Sequence, residues 1–207
     1  MAKFFKSVLF KCTATLLLIA CISGGLLALL NDVLYVSPEE RTSRAMSKIY
    51  GQAIEISQEN IILDVDDKNR DDKHIDYTFG QINKIYVVGD KNAEEYDLVF
   101  QTVGNEGYKG GTITLWIQVS VTNGNLADGK LEKIVLESYV KQTLMSKFDS
   151  YYYDEFIEKY KAGEFFSAYE NNEGTPIIMS GATYSANSCC NAVNCVVQYL
   201  QLEGGND

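Results

Sequence analysis

Histidine is almost missing from this chain. His74 is the only one, set in the charged stretch "DDKNRDDKHID", and a single imidazole nearly excludes His-based metal sites and Ser-His-Asp chemistry. No CxxC pair occurs among the five cysteines, so neither a zinc site nor a disulfide framework follows. An excess of positive charge is also lacking. The formal net charge of −10 argues against nucleic acid as a partner, because phosphates demand a basic face. Repeats, low-complexity tracts and long linkers are absent, so nothing points to a solenoid or a multi-domain array.

A long apolar run is present. From Cys12 to Leu30 the stretch "CTATLLLIACISGGLLALL" carries no charge over 19 positions, which at about 1.5 Å rise per residue matches a bilayer's apolar thickness. Lys3, Lys6 and Lys11 precede it, and Asp32, Glu39 and Glu40 follow. The positive-inside bias therefore predicts a cytoplasmic segment 1–11, a transmembrane helix 12–30 and an extracytoplasmic domain 31–207, a single-pass protein of the cell membrane. A competing reading is a cleaved lipoprotein leader, in which "LIAC" would leave Cys21 as a lipid-modified terminus. Here, however, "ISGGLLALL" follows Cys21 where a polar tether is expected.

Beyond the run, Ser37, Pro38 and Glu40 form a cap ahead of a helix ending at Gly51, with Ala45, Met46, Ile49 and Tyr50 on one apolar face that could dock on the domain. "AIEIS", "IILDV", "KIYVVG" and "YDLVFQTV" read as strands between polar turns. The acidic "DVDDKNRDD" reads as a solvated hairpin turn, because Lys68 and Asn69 stand where a calcium loop needs a ligand and a glycine. "TITLWIQVSV" alternates strictly, with Ile113, Leu115, Ile117, Val119 and Val121 on one face and Trp116 on the other. Asn-Gly and Asp-Gly turn signals and then "LEKIVLESYV" complete an antiparallel hairpin. Tyr152, Phe156 and Tyr160 mark a short helix ending on Gly163. The last helix runs from about Ser185 to Leu200, and Cys189, Cys190 and Cys195 on it read as small buried packers. The pattern predicts an α+β fold.

The turn before that last helix, "SGATYS", carries the chemistry. A helix N-terminus presents unpaired N–H groups and the positive end of the dipole, which favours a phosphate. Gly181 and Ala182 keep side chains clear, and Thr183 supplies a hydroxyl. The competing reading is that Thr183 or Ser185 merely caps the helix.

"SGATYS" at 180–185 leading into "NAVNCVV" resembles the flavinylation motif of the FMN-binding domain found in the G subunit of the Rnf electron-transport complex and in the C subunit of the sodium-translocating NADH:quinone reductase. "GYKGGTITLWIQVSV" with "DGKLEKIVLESY" is similar to the family's glycine-rich lead-in and central hairpin, and the apolar run to its single N-terminal span. The resemblance implies FMN attached by a flavin transferase through a phosphoester to Thr183, with Ser180, Gly181, Ala182, Tyr184 and Ser185 around it. It also implies partnership with other membrane subunits of a redox complex. The chain would be an electron carrier, not an enzyme alone. The ring needs an aromatic shelf, for which Tyr184, Trp116 and Tyr139 are candidates.

Two positions depart from the family pattern. Ile177 stands six residues ahead of Thr183, where the motif carries an aspartate. After the hairpin, "VKQTLMSKF" replaces a Thr-Pro-Gly turn beside the flavin, with Thr143 aligning but the proline and glycine missing. These departures define the alternative: a diverged member without covalent flavin, acting as a structural or partner-binding subunit.

Overall fold

The computed structural model describes residues 8–170 and 172–205; Lys3 and Lys6 of the basic N-terminal stretch lie outside the described residues. The chain divides into two units between Arg41 and Thr42. The first holds helix α1 (Val8–Leu34), in which Phe10–Asn31 is long and apolar enough to cross a membrane, at roughly 33 Å for 22 residues.

Helix α2 (Pro38–Tyr50) begins as its cap predicts, with Ser37 Oγ accepting from the Glu40 N–H at 3.1 Å and Pro38 in the first helical position. Its buried residues are Ala45, Met46 and Ile49. They pack on Tyr86, Val99 and Trp116 of a sheet, so the apolar face read from sequence does dock.

That sheet is antiparallel. Strands β1 (Ile61–Asp64), β2 (Ile75–Tyr77), β3 (Gly80–Val88), β4 (Glu95–Gly104), β5 (Ile113–Thr122) and β6 (Asn125–Tyr139) run in the order β1-β3-β4-β5-β6, with β2 also pairing with β3. The β5–β6 hairpin turns at Asn123 and Gly124, whose φ of 56° and 64° suit the turn type that matches strand twist. Only this first turn signal is used. Asp128 and Gly129 lie inside β6, where the register with β5 shifts.

The architecture is α+β, with the core between the sheet and two helices, α3 (Ser150–Lys159) and α4 (Thr183–Gly204). Ile113, Leu115, Ile117, Val119 and Val121 all enter this core, as the alternation of β5 requires. Asp149 caps α3 by accepting from the Tyr152 N–H at 3.1 Å. Short strands β7 (Phe166–Ser167) and β8 (Thr175–Pro176) form a parallel pair between α3 and α4.

Four sequence expectations change. "AIEIS" forms no strand: Ile54 and Ile56 reach the sheet face through side chains beside α2, not through a hydrogen-bond ladder. The acidic turn is more than a solvated loop. Lys84, 2 % exposed on β3, is held by Asp64 at 3.1 Å and Asp66 at 2.9 Å, and the Tyr86 hydroxyl donates to Asp64. Within the same turn Arg70 donates to Asp72, which with the Asp64 N–H holds the Asp72 carboxyl below its usual range. The third change is at Trp116, which is covered by α2 and stacked on Tyr86 with ring centroids 6.1 Å apart. The last helix, finally, starts at Thr183, two residues before Ser185, and runs to Gly204.

Candidate functional site

The first turn of α4 is built without a side-chain cap. Ala182 occupies the capping position, and neither Thr183 nor Ser185 bonds back to the helix start, which corrects the capping alternative. The reason is local: the chain arrives through a turn closed by Ala182 N–H to Met179 O at 3.0 Å, with Gly181 at φ 75°, a left-handed backbone that favours glycine. Ser180 and Gly181 are exposed, Thr183 is half-buried and Tyr184 is 61 % exposed. Lys147 Nζ donates to the Ser180 carbonyl at 2.9 Å, so an ammonium stands beside the turn.

Ser185 is buried and faces inward, its hydroxyl donating to Gln142 Oε1 at 2.7 Å. Gln142 ties three segments together. The same oxygen accepts from the Tyr108 N–H at 3.1 Å, and its amide nitrogen donates to Val140 O at 3.0 Å. Side chains at Gly107 or Gly111 would collide with that amide, so the glycine-rich lead-in leaves room for Gln142. Thr143, exposed, follows Gln142 directly. The structure thus brings the 180–185 turn, the Thr143 segment and the 107–111 loop to one place. Glu106, Lys109 and Lys141, three residues with left-handed backbone, also lie in these loops. Such strain concentrates where structure serves a purpose beyond packing.

The aromatic candidates separate. Tyr184 and Tyr139 are exposed, Tyr139 closing β6 three residues ahead of Gln142. Trp116 is 1 % exposed under α2, on the sheet face opposite α4, and is unavailable as a shelf. Ile177 is fully buried in the main core, where its N–H bonds Ser167 O at 2.8 Å. A carboxylate at this position would have to enter the core.

Behind the turn, α4 carries a polar row that sequence reading missed: Ser185, Ser188, Asn191 and Asn194, three residues apart. Ser188 donates to Gly104 O at 2.7 Å and Asn191 to Asn105 O at 3.1 Å. Asn194 accepts from the Phe166 N–H at 2.7 Å and donates to its carbonyl at 2.9 Å. The row pins the helix that carries Thr183 to fixed backbone points. The only sequence signal was the threefold spacing itself.

Cys189, Cys190 and Cys195 are buried and free, as expected of small packers. Burial pushes all three thiols up, Cys195 to about 12, so the thiolate that reacts is scarce. In a Cys12→Ser/Cys21→Ser background, iodoacetamide at pH 8 is expected to modify none of them until denaturant is added. Stoichiometric labelling of the native protein would contradict this packing.

Comparison with protein-family models gives no match for this chain, and searches of curated proteins and of solved structures likewise find no similar protein.

Proposed function

We propose that the chain is a membrane-anchored, FMN-carrying electron-transfer subunit of a Rnf-like redox complex, its domain on the extracytoplasmic side and its flavin esterified to Thr183. The observation that carries this reading is the start of α4. There the half-buried Thr183 sits at the first helical position, no side chain caps the helix, and Lys147 lies against the preceding turn.

The residues present suit a phosphate. Helix N–H groups left without intrahelical partners and the dipole's positive end favour an anion. Thr183 would hold the ester oxygen, Lys147 would offset phosphate charge, and Gly181 keeps the approach open. Exposed Tyr184 and Tyr139 offer faces for an aromatic ring. The bound flavin would supply the redox chemistry, while the protein fixes its position. Ser185, through Gln142, would hold the turn in register with the 107–111 loop.

The test is direct. The protein is co-expressed with a flavin transferase, denatured and run on a gel. A fluorescent band is expected for the wild type and for Thr183→Ser, falling to background in Thr183→Val. A dark wild-type band removes the covalent attachment.

One observation favours the second reading, a diverged subunit without covalent flavin. Ile177 belongs to the core, so the position of the motif's aspartate cannot present an acid to a transferase without disturbing the packing. Protein that stays colourless in excess FMN yet still co-purifies with membrane partners would favour this reading.

A further inference from the structure

We propose that α2 is a releasable clasp: residues 42–50 leave the sheet as a unit while the sheet and α4 stay folded, and release lengthens the chain available between α1 and β1. The inference does not depend on the flavin.

The docked face of α2 is small. Ala45, Met46 and Ile49 are its buried residues, against Tyr86, Val99 and Trp116. A helix of 13 residues is marginal without packing, so docking and helicity would be lost together. Cover by α2 also has a polar cost. Among the described residues the Trp116 Nε1–H is buried with no hydrogen-bond partner, and lifting α2 would return it to water.

Hydroxyl contacts also help to hold the helix in place. Tyr50 donates to Asp97 at 2.8 Å, an oxygen shared with Gln118, and the Thr42 side chain meets the Tyr86 hydroxyl that donates to Asp64. The segment that follows, residues 52–57, makes no strand ladder to resist peeling. The rest of the domain differs in kind: β5 is laddered on both sides, and α4 is buried on nearly every side. Local stability follows such differences. Once freed, the 23 residues from 35 to 57 make a tether that reaches at most on the order of 80 Å.

The full-length protein in lipid nanodiscs provides the test, by hydrogen exchange and by emission from Trp116, the single tryptophan. Peptides covering 42–56 are expected to exchange at least roughly 100-fold faster than those of β5 and β6. Met46→Ser should shift Trp116 emission to the red and raise acrylamide quenching, with β5, β6 and α4 protection unchanged. Tyr50→Phe should act in the same direction and less. Equal protection of 42–56 and β5 in the wild type overturns the proposal, and so does a loss of protection throughout the domain in Met46→Ser.

Discussion

Gly104→Ala is expected to lower the stability of the domain by about 3 kcal/mol or more, at or beyond the upper end for overpacked cores. Gly104 ends β4 where the strand passes directly under α4. A methyl group there would overlap the Ser188 carbonyl oxygen and come within 2.5 Å of the Ala192 nitrogen. Both obstacles are helix backbone, so no rotamer change relieves them. The helix must lift off the strand, which also stretches the Ser188 hydroxyl bond to the Gly104 carbonyl. For a domain of this size the loss corresponds to a Tm lower by about 6–12 °C. Gly124→Asn serves as the control, because that site is open and asparagine tolerates its left-handed backbone. It should melt close to wild type. If Gly104→Ala melts within about 2 °C of wild type, no more than the shift that 1 kcal/mol would give, strand and helix do not approach as described.

Lys84→Met is expected to cost about 3–5 kcal/mol, the range for breaking a buried ion pair from one side. Lys84 lies between two carboxylates, and one of them, Asp64, is itself buried. Without the ammonium, Asp64 keeps the Tyr86 hydroxyl and the Asp66 N–H but loses its neutralising charge. Asp66 is half-exposed and should lose little. The double variant Lys84→Met/Asp64→Asn separates charge from packing, since an amide can still accept from Tyr86 without needing a cation. Denaturant unfolding should return a large part of the deficit in the double variant, a coupling of at least about 1 kcal/mol. Additive losses would mean that the two residues do not act as a pair.

The parts of this fold legible in sequence are those with a local period or a local cap. Alternation of Ile113 through Val121 together with Asn123-Gly124 predicted the hairpin, and Ser37, Pro38 and Glu40 predicted the start of α2. What failed was set by partners far along the chain. Trp116 sits in the polar phase of its strand and reads as exposed, yet α2 covers it. Lys84 looks like a solvent-facing strand position until Asp64 and Asp66 fold back over it. "AIEIS" has the period of a strand, but that period only orients Ile54 and Ile56 toward the sheet. At the candidate site, Thr183 beside a helix start could be read directly. Gln142 and Lys147 could not, because a side chain that bridges segments leaves no trace in its own neighbourhood. The start of α4, two residues ahead of Ser185, is hidden in the sequence for a related reason: Ala182 ends the turn without capping chemistry.

The tie at Gln142 also bears on the order of events during synthesis. Its partners lie 34 and 43 residues away, at Tyr108 and Ser185, and the second follows every strand of the sheet. At typical translation speeds about 2–9 s separate Tyr139 from Thr183 at the ribosome. Throughout that interval Leu98, Phe100, Leu115 and Ile117 lack the helix that will cover them. Any group joined to Thr183 in its folded setting must therefore arrive after the last helix has docked, as a late act of maturation.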